Sequence, residues 1–339
     1  MKFLLCLLPM TAALAQDLTW KELPAIPDRE GFAGMYAGVS GDALLAAGGA
    51  NFPDKKPWEG GTKAWYDTVY VLEQPDGAWK VAGKLPSARG YGLGITIEEG
   101  LVCIGGADSN QHYAECFLLE WRDGKLTQKP LPALPQPCAN MTGARLDDTI
   151  YVAGGIDTPT TTRPLHTLWT LNLKAVNKGW QSLPAWPGPA RMLAIGAASQ
   201  DSFFIAGGTD LHPDAAGKPA RTYLKDGYRY TPGKGWKSIA ALPQASVAPP
   251  VPSPASAVGF LVLGGDDGAN VNFEPKTKHP GFPHAIFGYD AAKNTWSTVG
   301  EMPFAHVTNP STQWRSQTIV VSGEARPGVR SPAVWSLKY

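Results

Sequence analysis

The chain has 339 residues, 43% of them hydrophobic and only 17% charged, enough to bury a sizeable core in one large domain or two medium ones. Thirty basic residues stand against 29 acidic ones, so no overall field draws the protein to nucleic acid or to a membrane surface. Any charged ligand has to be held by a local cluster.

Residues 1–15, MKFLLCLLPMTAALA, read as a secretory signal, with Lys2 as the positive end, an apolar stretch from Phe3 to Leu14, and a small-x-small cleavage site at Ala13-Leu14-Ala15. The stretch is shorter than the roughly 20 apolar residues of a membrane span. A mature domain over 16–339, exported to a periplasm, is the expectation. Cys103, Cys116 and Cys138 remain, an odd number that rules out a fully paired framework. Cys103 and Cys116 either meet on neighbouring strands or stay as buried thiols. The histidines at 112, 166, 212, 279, 284 and 306 lack metal-ligand spacing, so no metal is expected.

Beyond the signal, one unit recurs. LLAAGG (44–49), LVCIGG (101–106), IYVAGG (150–155), FFIAGG (203–208) and FLVLGG (260–265) each end an apolar run on a glycine pair, and IVVSG (319–323) carries Ser322 in place of the first glycine. The spacings are 57, 49, 53, 57 and 58 residues, matching the roughly 50-residue period of Kelch-type propeller blades. A Trp and then Leu-Pro or Met-Pro follow in WKVAGKLP (79–86), WQSLP (180–184), WKSIAALP (236–243) and WSTVGEMP (296–303), while LTQKPLP (126–132) holds the place without Trp. Each unit therefore predicts a four-stranded sheet. After the sixth unit the chain ends on a single strand, SPAVWSLKY, and a spare Trp strand, LTWKELPAIP (18–27), stands at the other end. Pairing the two closes an all-β, six-bladed propeller and removes its open edge.

In such a ring the loops after Gly-Gly and after Leu-Pro open on one face near the axis. Five of the six post-glycine loops carry Asn or Asp at their second position (Asn51, Asp108, Asp157, Asp210, Asp267), a pattern expected of turn-forming side chains. The sixth breaks it with Glu324, followed by Arg-Pro-Gly-Val-Arg, so that Pro327-Gly328 bend the chain and bring Arg330 back towards Glu324. The other loop set contributes Arg89, Arg191 and His306. With Asn51 these are the candidate binding residues, and the arginines form a candidate anion site suited to a carboxylate. The alternative for Arg89 and Arg191 is that each props a neighbouring loop through backbone carbonyls. The long loops 50–66, 209–222 and 266–285 bring Trp58, Trp65 and Phe273, which either stack on a sugar or form loop cores.

The stretch SGEARPGVRSPAV (322–334) resembles the Glu-and-Arg motif of the bacterial N-acetylneuraminate epimerases, or sialic acid mutarotases. In that family the motif lies mid-chain, whereas GFAGMYAGVSGDALLAAGGANF (31–52) and SARGYGLGI (87–95), similar to its later segments, come first here. The order resembles the cyclically permuted mutarotase branch. The resemblance implies Glu324 as the group that moves the proton and Arg330 as its partner, a small acidic sugar as substrate, and no metal or organic cofactor. A binding module for a glycan or protein is the alternative use of the same mouth. Asp108, Asp157 or Asp267 would serve a lyase or glycosidase if they faced Glu324.

Overall fold

The structure is a computed structural model, and it describes residues 18–339; the expected signal segment lies outside them. Six antiparallel sheets stand around one axis. From the axis outward, the first blade is Tyr36–Ser40, Ala43–Ala47, Thr68–Leu72 and Lys80–Lys84. The second is Leu93–Thr96, Leu101–Ile104, Cys116–Arg122 and Lys125–Leu131, and the third Thr142–Leu146, Thr149–Ala153, Leu168–Asn172 and Gln181–Leu183. Ile195–Ser199, Ser202–Ala206, Gly227–Thr231 and Gly235–Ile239 make the fourth. The second strand of each blade is sandwiched by both neighbouring blades. That position selects continuous apolar runs such as Ala43–Ala47, buried at every residue, whereas the outer strand Lys80–Lys84 is exposed or half-buried throughout.

The closing blade joins both ends of the described chain. Ser311–Trp314, Gln317–Val321 and Val334–Lys338 take Thr19–Leu23 as their outermost strand, in register from Thr19 opposite Lys338 to Leu23 opposite Val334. The fifth blade departs from expectation. It has three strands, Gly259–Leu263, Ala285–Asp290 and Thr295–Glu301, and no innermost one. Pro249, Pro250, Pro252 and Pro254 occupy that place, and proline has no N–H to give to a ladder. Only single bridges remain there, Ala255 to Phe260 and Val251 to Pro310.

The repeated residues are the joints between blades. The indole N–H groups of Trp79, Trp180, Trp236 and Trp296 donate to carbonyls of the preceding blade's Pro24, Pro132, Pro184 and Ala240 at 2.7–2.9 Å. The glycine pair is where the following blade approaches most closely. A Cβ on Gly48 (φ +65°) would lie 2.4 Å from the Arg89 carbonyl oxygen, and the Gly49 N–H donates to that same oxygen at 2.9 Å. In the sixth blade Ser322 adopts the same left-handed conformation (φ 55°), and its hydroxyl accepts from the Phe32 N–H at 2.8 Å.

A second device, without a shared residue type, closes the ring around the axis. Gly34, Tyr91, Asn140, Leu193, Ala248 and Thr308 hold equivalent places in the six blades, and all have positive φ, between 53° and 69°. Each N–H donates to the carbonyl of its counterpart in the preceding blade at 2.6–2.9 Å, with Gly34 donating to Thr308 to complete the circle. Five of the six are not glycine, so the backbone strain of the left-handed region is held by the closed ring.

The three cysteines are buried and unpaired. Cys103 lies opposite Phe117, while Cys116 lies opposite Ile104. Cross-strand partners share a face and successive residues alternate, so the two thiols point to opposite sides of the second blade. Among the described residues no helix is long and apolar enough to cross a membrane.

Candidate functional site

Just outside that ring, the loop after each inner hairpin bridges back to the loop before it. The bridges are Ala33–Ala50, Gly90–Ala107, Ala139–Ile156, Met192–Thr209, Val247–Asp266 and Val307–Glu324. Six equivalent rungs thus surround one mouth, and the second member of each is the residue after the glycine pair. Glu324 holds the place that Ala50, Ala107, Ile156, Thr209 and Asp266 hold in the other blades. A cavity of about 860 Å³ opens here, with all six blades contributing to its lining, and Tyr91, Asn140, Leu193, Ala248 and Thr308 of the ring among its residues.

Glu324 and Arg330 face each other across a short hairpin, Glu324–Arg326 against Val329–Arg330, turned by Pro327 and Gly328. The Glu324 Oε1 accepts from Arg330 Nη1 at 2.8 Å and from the Gly328 N–H at 2.7 Å. Two donors on one oxygen fix the carboxylate plane and leave Oε2 as the oxygen with no donor among the described residues. Arg330 is 7% exposed; its Nε lies 3.4 Å from the Ala50 carbonyl oxygen and its guanidinium over the Phe52 ring, 5.1 Å from the centroid. Gly328 has φ +79°, and a Cβ there would come within 2.9 Å of Pro57 Cδ and 3.0 Å of Trp58 Cζ3. The 50–66 loop therefore packs directly on the turn that orients Glu324, with Trp58 half-buried against it.

A second cation stands beside this pair. Lys63 Nζ lies 5.1–5.8 Å from the ring centroids of Tyr91, Trp65 and Phe52, a cation–π enclosure. The Tyr91 hydroxyl is 3.4 Å from Lys63 Nζ and 3.5 Å from Arg330 Nη2, so both cations meet at one phenol. Further round the wall, Asp266 Oδ2 accepts from the Tyr223 hydroxyl at 2.9 Å, and Arg221 reaches the cavity from the strand Pro219–Tyr223. The third and fourth blades add Ile156, Pro159, Met192 and Leu211 to the lining, together with Asn140 and Thr161.

The other four candidates do not line the cavity. Arg191, fully buried, donates to the carbonyls of Gly207 and Asp226 at 3.0 and 3.2 Å and to Asp226 Oδ2 at 2.7 Å. Arg89, 2% exposed, lies 3.8 Å above the Tyr113 ring and donates to the Ser87 hydroxyl. Asn51 binds Asp28 and the Gly31 carbonyl and accepts from Tyr66. His306 packs against Phe304, 5.0 Å between ring centres, and burial lowers its pKa to about 4. Arg191 and Asn51 are spent on internal partners, which is the carbonyl-propping alternative for Arg191, while Arg89 Nη1 and His306 Nδ1 are buried without a hydrogen-bond partner among the described residues.

Of the aspartates, Asp108 and Asp267 form the expected turns, accepting from backbone N–H groups two or three residues on. Sequence reasoning passed over Lys63, Tyr91, Arg221, His112 and Asp266. Only Asp266 carried a usable signal: it is a carboxylate directly after a glycine pair, as Glu324 is, and the Asx pattern at the next position concealed it.

An axial mouth on a six-bladed Kelch-type propeller, carrying a carboxylate clamped by a guanidinium, defines the class of the protein. A model of the N-acetylneuraminate epimerase family matches residues 10–128. The N-acetylneuraminate epimerase of Brucella suis is 40% identical over 122 residues, 31% of this chain and 31% of the relative. That of Yersinia enterocolitica is 34% identical over 128 residues, 32% of each chain, and that of Salmonella arizonae 24% over 230 residues, 60% of this chain and 57% of the relative. The matched stretches span from about a third to somewhat over half the length of these relatives. The solved structure of YjhT superimposes with a TM-score of 0.67 at 15% identity, covering 93% of this chain and 95% of that one, and shares the fold. The family model thus falls on the first two blades, while the match to the Salmonella arizonae relative extends over 60% of the chain.

Proposed function

We propose that the protein is a mutarotase that interconverts the anomers of N-acetylneuraminate or a closely similar acidic sugar at the axial mouth. The observation that carries this reading is the Glu324–Arg330 clamp lining the cavity, in a chain similar to proteins named N-acetylneuraminate epimerase. The cavity, about 860 Å³, is within the size range of small-ligand sites.

Anomer exchange needs a proton taken from the anomeric hydroxyl and returned to the ring oxygen as the ring C–O bond breaks. Rotation of the carbonyl group and the reverse sequence then give the other anomer. Both oxygens are bonded to one carbon, so a single carboxylate can reach both. In this reading Glu324 Oε2 accepts the hydroxyl proton, the ring oxygen leaves with developing negative charge, and the same proton passes from Glu324 to it. Arg330 keeps Oε1 occupied, which directs proton traffic to Oε2. A guanidinium keeps its protons in proteins, so Arg330 acts by charge and hydrogen bonding rather than as an acid. Lys63 and Tyr91 supply further positive charge and a hydroxyl donor for the leaving oxygen or the substrate carboxylate. The reading of residues 1–15 as a signal supports an exported enzyme.

The test is anomer exchange in freshly dissolved sugars, followed by NMR at low buffer concentration with and without protein. N-acetylneuraminate should equilibrate faster than its spontaneous rate, and a neutral hexose should gain little. Specific binding of the sugar with no excess rate would replace the enzyme by a glycan-binding module.

A further inference from the structure

His112 is a cavity residue that the chemistry above leaves unused. It sits at the end of a tight turn in the second blade's post-glycine loop. Ala107 bridges to His112, and Asp108 Oδ1 accepts from the N–H groups of Asn110 and Gln111 at 2.7 and 2.9 Å. The imidazole is 8% exposed and reaches across to the third blade, where Nδ1 lies 3.0 Å from the Ile156 carbonyl oxygen. That oxygen also accepts the Ala139 N–H at 2.9 Å. A carbonyl oxygen can only accept, so Nδ1 carries the proton, and in the neutral ring Nε2 carries a lone pair. Burial holds the imidazole pKa below its ordinary value, against the opposing pull of the Ile156 carbonyl, Asp157 and Asp108. His112, a lining residue of the cavity, therefore carries one acceptor, Nε2, beyond its bond to Ile156.

Hydrocarbon and polar groups share the surroundings of this acceptor, where Asp108, Ser109, Asn140 and Thr161 also line the cavity. Ile156 and Pro159 on the same side, with Met192 and Leu211 beyond, line the cavity next to His112, whereas Glu324, Arg330 and Lys63 belong to the sixth and first blades. The cavity thus has a charged corner on the sixth and first blades and, on the second and third, a wall where hydrocarbon lies beside hydrogen-bond acceptors. A secondary amide complements the latter: its N–H needs an acceptor and its acyl methyl needs a dry wall.

We propose that His112 is a specificity-determining residue whose Nε2 accepts the N–H of an acylamino substituent, with the acyl methyl packed on Ile156 and Pro159. This rests on the mutarotase reading and assigns the end of the substrate that its mechanism leaves open. One neutral hydrogen bond in such a place corresponds to about three- to tenfold in affinity. The test is calorimetric binding of N-acetylneuraminate and of the analogue with a hydroxyl in place of the acetamido group, using the parent, His112→Phe and His112→Gln. The parent should prefer the acetamido sugar, His112→Phe should lose about three- to tenfold of that preference, and His112→Gln, which keeps an acceptor, should recover part of it. An unchanged preference in His112→Phe overturns the proposal and leaves the mutarotase reading standing. Should His112→Phe not fold, the Nε2 nitrogen NMR shift of the parent decides: it should move on saturation with the acetamido sugar, and a fixed shift overturns the assignment. A parent that binds neither sugar defeats the functional reading together with this one.

Discussion

Replacing Arg191 separates a binding arginine from a structural one. In the sequence it is a candidate ligand for a sugar carboxylate; in the fold it is fully buried between Trp186 and Tyr228, 5.6 and 5.5 Å from their ring centroids. Arg191→Ala removes the donors to three carbonyl oxygens, of Pro189, Gly207 and Asp226, and leaves the Asp226 carboxylate without its 2.7 Å partner. Breaking a buried ion pair costs about 3–5 kcal/mol. The Asp226 side chain is 35% exposed and recovers some hydration, which favours the lower part of that range, while the orphaned carbonyls add to it. About 4 kcal/mol is the expected loss, and at roughly 2 °C per kcal/mol for a chain of this size the melting midpoint should fall by about 8 °C. Thermal unfolding by circular dichroism and calorimetric titration with N-acetylneuraminate measure the two sides. The variant should melt early and, below its melting point, bind the sugar like the parent. A variant that melts within about 1 °C of the parent yet binds at least about tenfold more weakly would refute the structural assignment.

Gly328→Ala places a Cβ within 2.9 Å of Pro57 in a left-handed residue, a strain of about 1–2 kcal/mol. It should displace the N–H that holds Glu324 Oε1, lowering the rate of anomer exchange more than the affinity for sugar; equal losses in both would mean the turn does not orient the carboxylate. His306 gives a pH dependence of stability. The unfolded chain takes up its proton near pH ~6.5, whereas the buried ring resists until about 4. Between these values the unfolded state binds more protons, so stability should fall as pH drops through that window, by up to about 3 kcal/mol from this group. His306→Gln should flatten that slope in denaturant titrations, and an unaltered slope would assign the loss to other groups.

The blades were legible because each repeated residue does a physical job that few others can. The glycine pair admits the next blade's carbonyl, the Trp N–H reaches the preceding blade, and the spare strand at residues 18–23 matches the incomplete last unit. The fifth blade was expected to have four strands and has three, because PPVPSP (249–254) lacks the N–H groups that an innermost strand must give, a local signal that the period masked. The ring of Gly34, Tyr91, Asn140, Leu193, Ala248 and Thr308 was not legible, because a closed cycle of backbone hydrogen bonds imposes a conformation and no side chain. The facing of Glu324 and Arg330 follows from the Pro-Gly turn between them, a local feature. Lys63 and Arg221 reach the cavity from long loops whose course no periodicity reports. Arg89 and Arg191 looked available because they stand in loops, but the Gly207 and Asp226 carbonyls and the Asp226 carboxylate take the Arg191 guanidinium, and the Ser87 hydroxyl and the Tyr113 ring hold that of Arg89.

The central claim is that Glu324 moves the proton in anomer exchange. Glu324→Gln keeps the size of the side chain and an acceptor for Arg330 and Gly328 while removing the basic oxygen. The measurement is the rate of N-acetylneuraminate anomer exchange in excess of the spontaneous rate, read by NMR at low buffer concentration alongside the melting temperature. General acid–base groups contribute about 10²–10⁴-fold, so the variant should lose nearly all of the excess rate while melting close to the parent. An excess rate equal to the parent's in a variant of unchanged melting temperature would contradict the account.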